Sequence, residues 1–304
     1  MRATIQLCTY NRAALLERVL DACFEQTADP DSYEVVLVND GSPDDTPAVI
    51  ERARKRATCR FEVIDQQNSG LAKGRNAGIA RATGERIIFI DDDVLPTPDF
   101  VEEHLRSHDA APLAIVRGGA INVESFDKLP PAKWRLKDYS GNFFWTTNVS
   151  VPLQTIRAIG GFNDTFAEYG WEDIDVGLRL RQGGVKAVFN PKALVYHWKP
   201  RPRSGNVEKM IRQARAQART AVQLAQIHPH WRVYLATGDN LPQRALHKWL
   251  RGVDAAKKYR IALGDLSLDR ALSNGELRTA QKLINEAYFE ELEDARKKQA
   301  AASA

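Results

Sequence analysis

The first hundred residues alternate between short apolar segments and longer segments in which apolar residues recur with helical spacing. The apolar segments, which predict buried strands, are 3–9, 33–40, 60–66 and 86–91. The segments with helical spacing are 12–26, 44–57, 71–82 and 98–108. Thr46 is the predicted N-cap of the second helix, because Pro47 suits the first helical position. This alternation predicts an α/β fold with a doubly wound, mostly parallel sheet covered on both faces.

The pattern is less regular from 110 to 198 and becomes helical after Pro200. The less regular part predicts strands at 113–122, 145–151, 185–190 and 193–198 and a helix at 171–182. The last part predicts helices near 206–227, 242–260 and 274–298. Ser273 and Glu276 form a capping-box pattern before the last helix. We therefore expect one α/β domain over 1–203 and a helical extension over 204–304.

Length and cysteine content restrict the class of protein. A chain of 304 residues can bury a substantial core. Uninterrupted apolar runs such as 35–38 and 87–90 are far shorter than the roughly 20 residues that cross a bilayer, and the first residues contain no signal-peptide h-region. The three cysteines, Cys8, Cys23 and Cys59, have no CxxC spacing. Free thiols of a reducing compartment are the preferred interpretation, so we expect a cytoplasmic protein.

The net charge of +4 hides two zones of opposite sign. Residues 1–198 carry 23 Lys and Arg against 28 Asp and Glu, whereas residues 199–304 carry 20 against 11. The excess is concentrated in 199–260, and Arg212, Arg215 and Arg219 recur there at helical spacing. A solvated helix face is one explanation. The other is attraction to anionic lipid head groups, which would make the protein peripheral on the inner face of the membrane. No motif indicates nucleic acid as a partner.

Polar residues cluster where the predicted strands end. The first strand leads into residues 9–12, the second into 39–42 and the fourth into 91–93. The carboxyl ends of parallel strands meet at one edge of a sheet, where ligands bind in such folds. The sequence therefore predicts a ligand site at this edge.

Three consecutive carboxylates, Asp91, Asp92 and Asp93, follow the fourth strand. Adjacent carboxylates repel one another and raise one another's pKa. One interpretation is a solvated loop in which Asp92 or Asp93 caps a helix. The other is a divalent cation held by oxygen ligands. Asp91 and Asp93 would point to the same side of extended backbone and share the cation.

Four motifs in order resemble those of family-2 glycosyltransferases, which have the GT-A fold. They are "TYNR", "VNDGSPDDT", "NSGLAKGRNAGIARATGERIIFIDDD" and "GWEDIDVGLRLRQGG". The resemblance covers about residues 3–198. It implies inverting, metal-dependent transfer of a sugar from a nucleotide-diphospho-sugar, expected to be UDP- or dTDP-linked, to a hydroxyl of a glycan or lipid-linked acceptor. It also divides the α/β domain into a nucleotide-sugar half, about 1–95, and an acceptor half, about 96–203.

The resemblance implies roles for individual residues. Asp173, the Asp of the Glu-Asp pair, would be the general base. The donor-binding residues would be Thr9, Tyr10, Asn11, Arg12, Asp40, Lys73, Arg75, Asp91 and Asp92, with Asn76 near them. For Lys73 and Arg75 a solvated helix start is an equal alternative. Asn148, Trp171 and Glu172 would contact the acceptor, although Glu172 would alternatively orient the base. For Trp171 and Trp145 core packing is an equal alternative.

The metal ligands implied by the resemblance are Asp91, Asp93 and His197. A histidine among the ligands suits Mn²⁺ better than Mg²⁺, which prefers oxygen. Two rival functions remain open: a non-catalytic nucleotide-sugar-binding protein, and a sugar nucleotidyltransferase, which would need a glycine-rich loop after the first strand. The sugar, the base, the acceptor, the linkage, the oligomeric state and the role of the C-terminal helices do not follow from the sequence.

Overall fold

The computed structural model describes residues 1–240, 242–243, 245, 255–264 and 269–303. These residues form two compact units. The first unit comprises Met1–Ala167 and Glu172–Pro200, and the second comprises Glu168–Trp171 and Arg201–Ala304. The boundary predicted after residue 203 lies close to Pro200, where the chain leaves the first unit and enters the second. The sequence gives no sign that four residues just before Glu172 belong with the C-terminal helices.

The first unit alternates strands and helices as the sequence predicts. Its first half contains β1 (Ala3–Thr9), α1 (Ala13–Phe24), β2 (Tyr33–Asn39), α2 (Thr46–Arg54), β3 (Arg60–Asp65), α3 (Leu71–Arg81) and β4 (Arg86–Phe89). Its second half contains β5 (Val94–Pro96), α4 (Phe100–Ala110), β6 (Ile115–Val123), β7 (Val149–Pro152), α5 (Leu153–Ala158), α6 (Glu172–Gln182) and β8 (Ala187–Trp198). Helix α2 begins at Thr46, so its N-cap is Asp45 and not Thr46.

The strands form one eight-stranded sheet in the order β3-β2-β1-β4-β7-β6-β8-β5. The pairs β1–β2, β2–β3, β1–β4 and β6–β8 are parallel, and β4–β7, β6–β7 and β5–β8 are antiparallel. The mostly parallel α/β sheet of the prediction is confirmed. The antiparallel strands lie in the second half, where the sequence pattern is less regular.

Apolar side chains cover both faces of this sheet. In β4, Ile88 belongs to one core cluster with Leu16 of α1 and Phe100 of α4, whereas Ile87 and Phe89 belong to another. Successive strand residues point to opposite faces, so a strand buried on both sides must be apolar throughout. This explains the unbroken apolar segment before the three aspartates.

The prediction of two separate strands at 185–190 and 193–198 is wrong. The structure has a single strand, β8, with an irregularity inside it. Arg117 of β6 is paired with Phe189, but Gly119 is already paired with Leu194. Residues 190–193 of β8 therefore bulge out of the ladder around Pro191, which cannot donate a backbone hydrogen bond.

The second unit is helical. It contains α7 (Val207–Ile227), α8 (Trp231–Ala236), α9 (Ala255–Leu263) and α10 (Asn274–Ser303). The predicted capping box is present: Ser273 N donates to Glu276 Oε2 at 2.8 Å, and Glu276 N donates to Ser273 Oγ at 3.3 Å. The predicted helix near 242–260 lies largely outside the described residues. No helix in the described part of the chain is both long and apolar enough to span a membrane.

Candidate active site

The three aspartates lie in a turn that connects β4 with β5. The strand ends at Phe89, and Asp92 and Asp93 form the turn. Asp91 Oδ2 accepts from Thr147 Oγ1 at 2.6 Å, and Asp92 Oδ2 accepts from Thr9 Oγ1 at 2.8 Å. Asp91 and Asp93 therefore contact different partners. The alternation expected of extended backbone does not apply here, because Asp92 and Asp93 form a turn.

Asp93 lies against His197, because β5 runs antiparallel to β8. Val94 is paired with His197, and Trp198 N donates to Asp93 O at 2.8 Å. His197 Nε2 is 3.4 Å from Asp93 Oδ1. Burial raises the pKa of Asp93, but its neighbours His197, Arg12 and Lys199 outweigh this effect and lower the pKa. This carboxylate is therefore ionised at neutral pH.

The Asp93–His197 pair has polar atoms with capacity left for a ligand. Asp93 Oδ1 and His197 Nδ1 are buried and have no hydrogen-bond partner, which is an unusual state for buried polar atoms. A carboxylate oxygen and an imidazole nitrogen suit Mn²⁺. Among the described residues, no group of three or more His, Cys, Asp and Glu side chains is arranged to hold a metal. The three residues implied as metal ligands, Asp91, Asp93 and His197, are therefore not brought together as one ligand group in this structure.

Asp92 differs from its two neighbours in its ionisation. Burial raises its pKa to about 7, although the charge of Arg12 and the hydrogen bond from Thr9 favour the ionised form. Thr9 is itself buried. Both residues were predicted to bind the donor, and in the structure they bind each other.

Arg75, on α3, connects the aspartate turn with the start of α6. Its Nη1 donates to Glu172 Oε1 at 2.8 Å, and its Nη2 is 2.8 Å from Thr146 Oγ1 and 3.3 Å from Asp91 Oδ1. Arg75 is 5% exposed. Burial lowers the pKa of its guanidinium, but the charges of Glu172 and Asp91 raise it by more, so it stays charged.

The contacts of Arg75 differ from those expected of a donor-binding residue. Both terminal nitrogens of its guanidinium donate to side chains of the protein itself. Its motif partner Lys73 is exposed at the start of α3. Arg75 is thus an internal organiser, which joins two acidic motifs that are far apart in the sequence.

Asp173 is the second residue of α6 and is half-buried. Its Oδ1 accepts from Ile174 N at 2.7 Å. Burial and then the negative charge of Glu172 raise the pKa of Asp173, and the positive charge of Arg75 opposes them. A carboxylate whose pKa is raised toward neutrality is a better proton acceptor at physiological pH. Glu172 is buried and forms an ion pair with Arg75. The adjacent carboxylates of Glu172 and Asp173 therefore have different surroundings.

Residues 10–12 form the loop after β1. Tyr10 is 48% exposed. Asn11 has a φ of +55° and its N–H donates to Ser42 Oγ at 3.0 Å, which fixes the loop to the one after β2. Arg12 Nη1 is 3.8 Å from Asp93 Oδ2. The predicted convergence of strand ends is present in these contacts.

Asp40, after β2, holds the loop that precedes α3. Its Oδ1 accepts from Ser69 N at 2.9 Å and from Gln66 Nε2 at 2.7 Å, and its Oδ2 accepts from Gly70 N at 3.0 Å. Asp40 is buried. Asn76, further along α3, pairs with both the N–H and the carbonyl of Phe162, each at 2.8 Å. Both side chains therefore hold neighbouring loops in place.

The structure corrects the prediction that Asn148 lines the acceptor cleft. The residue is 1% exposed. Its Nδ2 donates to Gly119 O and to Ala193 O, each at 3.0 Å, and its Oδ1 is 3.0 Å from His104 Nε2. A Cβ on Gly118 would lie 2.4 Å from Nδ2, so this approach requires glycine there. The side chain connects β6, β8 and α4 inside the unit.

The two tryptophans predicted to stack on a sugar have different surroundings. The ring of Trp145 lies 6.2 Å from the ring of His197 and is partly buried against the core. Trp171 belongs to the second unit, where its Nε1 donates to Gln217 O at 2.8 Å. It packs against the buried cluster that includes Ala218 and Leu292.

Two functional candidates, Thr146 and Thr147, were missed from the sequence. Their hydroxyls contact Arg75 and Asp91, respectively. The only signal was a pair of threonines before the β7 segment, and threonine in a strand is ordinary. Their contacts depend on the antiparallel β4–β7 pairing, which the sequence does not predict.

The chain is similar to several known glycosyltransferases. It is 29% identical over 218 residues to the validoxylamine A glucosyltransferase of Streptomyces hygroscopicus subsp. limoneus, covering 60% of this chain and 48% of the relative. It is 39% identical over 104 residues to the putative glycosyltransferase EpsH of Bacillus subtilis (strain 168), covering 34% of this chain and 29% of that protein. The chain thus spans about half the length of the validoxylamine A enzymes that it matches.

Solved structures show the same fold. The mannosyltransferase PcManGT from Pyrobaculum calidifontis, in complex with GDP-Man and Mn²⁺, superposes with a TM-score of 0.62 at 21% identity, over 96% of this chain and 85% of that one. S. aureus TarS 1-349 in complex with UDP-GlcNAc gives 0.57 at 16% identity, over 98% and 92%. These neighbours confirm the GT-A fold.

Family models match most of the first unit. Residues 132–199 match a model described as the N-terminal domain of galactosyltransferase. Residues 4–160, just over half of the chain, match the model of glycosyl transferase family 2. The chain therefore belongs to the family-2 glycosyltransferases.

Proposed function

We propose that this glycosyltransferase moves a sugar from a nucleotide-diphospho-sugar to an acceptor hydroxyl with inversion, and that Asp173 is the general base. The observation that carries the proposal is the buried Arg75, which joins Asp91 of the aspartate turn to Glu172 beside Asp173. The donor-side and acceptor-side motifs are thereby brought to one place.

The chemistry requires one base and no covalent intermediate. Asp173 takes the proton of the acceptor hydroxyl as the oxygen attacks the anomeric carbon, and the bond to the nucleoside diphosphate breaks on the opposite side. The raised pKa of Asp173 makes it a stronger proton acceptor than an ordinary aspartate. Glu172 cannot substitute for it, because its carboxylate is neutralised by Arg75.

Asp93 and His197 would hold the divalent metal of the proposal. The support is that Asp93 Oδ1 and His197 Nδ1 are buried without a partner and that the two side chains are adjacent, with His197 Nε2 3.4 Å from Asp93 Oδ1. Mn²⁺ is preferred to Mg²⁺ because one donor is a nitrogen. A bound metal would neutralise charge on the departing diphosphate. Asp91 enters the proposal as the anchor of Arg75 and Thr147 instead of as a ligand, because both of its oxygens accept hydrogen bonds.

The donor is proposed to be UDP- or dTDP-linked, and the acceptor to be a hydroxyl of a glycan or of a lipid-linked acceptor. The structural neighbours named above hold GDP-Man or UDP-GlcNAc. The nucleotides used to test the donor must therefore include GDP. The exposed Tyr10 is the proposed contact with the base, with Asn11, Arg12 and Lys73 around the donor.

The basic surface of the second unit is proposed to attract anionic lipid. Lys209, Arg212 and Arg215 of α7 are exposed, and each would contribute about 1 kcal/mol near an anionic surface. Arg219, which the sequence places on the same face, is instead engaged by Glu168 and Glu291. Co-sedimentation with vesicles containing phosphatidylserine, lost in 0.5 M salt and in Arg212→Glu/Arg215→Glu, is the expected result. Equal binding to phosphatidylcholine vesicles contradicts it.

A thermal-shift panel tests the donor and metal proposals. UDP, dTDP, GDP and ADP are each added with and without Mn²⁺ to the wild type and to Asp93→Asn. A ligand that binds only the native state raises the melting temperature. One nucleotide should stabilise the wild type only with Mn²⁺, and Asp93→Asn should abolish that effect. A shift that persists in Asp93→Asn removes Asp93 from the metal site, and no shift with any nucleotide contradicts the donor proposal.

A further inference from the structure

The second unit includes four residues that lead directly into the helix of Asp173. Glu168–Trp171 cluster with Arg201–Ala304, and Glu172 begins α6 in the first unit. We propose that α7 and α10 position Asp173 by clamping this segment, with Arg219 and Glu168 as the main positioning residues. The inference rests on the proposed role of Asp173, and goes beyond it by assigning a function to the C-terminal helices.

Three side-chain contacts hold the segment, and they involve Arg219, Thr220 and Trp171. Arg219 of α7 binds both Glu168, with Nε 3.0 Å from Oε1, and Glu291 of α10, with Nη1 2.9 Å from Oε1. The hydroxyl of Thr220 lies 3.2 Å from Tyr169 O and shares its single proton between this carbonyl and those of Ala216 and Gln217 in α7. The indole of Trp171 donates to the backbone of α7, as described above. Three of the four residues in the segment are thus held from one helix.

The backbone of the segment is constrained at its last two residues. Gly170 has a φ of +110° and Trp171 a φ of +69°. A Cβ on Gly170 would lie 3.0 Å from Gln217 Cγ, so glycine permits the close approach to α7. A tryptophan with positive φ persists only where its surroundings hold it. Its surroundings are the hydrogen bond to Gln217 and the packing of its ring.

The clamp can affect catalysis because the clamped segment is directly connected to Asp173 along the chain. Asp173 follows Trp171 by two residues, and a general base must be held within hydrogen-bond reach of the proton that it removes. Releasing Trp171 from its unusual conformation would rotate the first turn of α6. The separation between Glu172, which is fixed by Arg75, and Asp173 would no longer be maintained.

The test compares Arg219→Gln with Arg203→Gln. Arg203 forms a similar exposed ion pair in the same unit, with its Nε 2.7 Å from Asp269 Oδ1, but it does not touch residues 168–171. Amide hydrogen exchange is measured on peptides covering 168–176, which requires no substrate. Exchange there should accelerate at least tenfold in Arg219→Gln and Glu168→Gln and stay unchanged in Arg203→Gln. Unchanged exchange in Arg219→Gln overturns the clamp.

Turnover is then measured by nucleoside diphosphate release from UDP-glucose, UDP-GlcNAc and GDP-mannose with Mn²⁺. With the donor that the wild type uses, kcat should fall 10- to 100-fold in Arg219→Gln while the donor KM changes less than threefold. Arg219→Lys should recover part of the loss. Accelerated exchange with a kcat within twofold of the wild type overturns the positioning role.

Asp173→Asn separates failure of this inference from failure of the proposed function. If Asp173→Asn is inactive and Arg219→Gln keeps full kcat, the clamp is wrong and the base assignment stands. If Asp173→Asn is as active as the wild type, the base assignment fails, and with it the positioning role. The exchange measurement still decides whether the clamp holds the segment.

Discussion

Arg75 and Glu172 form an ion pair that is almost fully withdrawn from water, with Nη1 of the arginine 2.8 Å from Oε1 of the glutamate and side-chain exposures of 6% and 10%. The same guanidinium contacts Asp91 and Thr146. One cation therefore fixes the separation between the aspartate turn and the start of α6. Removing one member of such a pair leaves an uncompensated buried charge.

Arg75→Met should reduce the free energy of unfolding by about 3–5 kcal/mol, the usual cost of breaking a buried ion pair on one side. Arg81→Met is the matched control, because Arg81 is on the same helix and its side chain is 65% exposed. Urea denaturation followed by circular dichroism measures both. A stability of Arg75→Met equal to that of Arg81→Met would show that the pair does not organise the site.

Asn148→Ala should lower stability by about 1–3 kcal/mol for each buried group that it leaves unpaired. Gly119 O and Ala193 O lose their donor in this variant, and His104 Nε2 loses its acceptor. Asn142→Ala, at an exposed position, should change stability little. An Asn148→Ala variant with native stability and a raised acceptor KM would restore the original prediction that Asn148 contacts the acceptor.

Stability should fall as the pH decreases below about 6.5, because His104 is buried in its neutral form. Burial lowers its pKa from 6.5 to about 4, and burial likewise lowers that of His108, to about 3. Between pH 6.5 and these lowered pKa values, the two histidines bind protons in the unfolded state but not in the folded state. The stabilisation is present above pH 6.5 and is lost toward pH 4, by about 3 kcal/mol at most for His104.

His104→Gln tests this origin of the acid sensitivity. The hydrogen bonds of His104 fix the tautomer of its ring. Asn148 Oδ1 can only accept, so His104 Nε2 carries the proton and donates to it. His104 Nδ1 then accepts from the hydroxyl of Ser150. Glutamine does not titrate, so the decrease in melting temperature between pH 7.5 and 5 should be smaller in the variant. If both proteins show the same pH dependence, the loss of stability in acid arises from the titration of other groups.

The fold could be predicted largely because its signal is local. The two-sided burial of β4 requires an unbroken apolar run, which the sequence displays in Ile87 and Ile88. The order of the last strands is not local: β8 pairs with both β6 and β5, and nothing in the segment around Pro191 indicates that one strand continues through a bulge.

The candidate site could be located from the sequence, but the roles of its polar residues could not all be inferred. The roles of Asp173 and His197 are proposals that follow from their motifs. The resemblance implies that Arg75 and Asn148 contact ligands, yet the hydrogen bonds of both side chains go to buried groups of the protein itself. The role of Arg219 depends on partners at positions 168 and 291, a separation that no sequence period reveals.

The general-base assignment of Asp173 is the central claim, and product release by Asp173→Asn tests it most directly. Nucleoside diphosphate release is measured at pH 7.5 with Mn²⁺ and the donor that the nucleotide panel identifies, for the wild type and the variant. The claim predicts a fall in kcat of at least about 100-fold, the usual contribution of a positioned base, with an unchanged nucleotide thermal shift. A kcat within threefold of the wild type would contradict it.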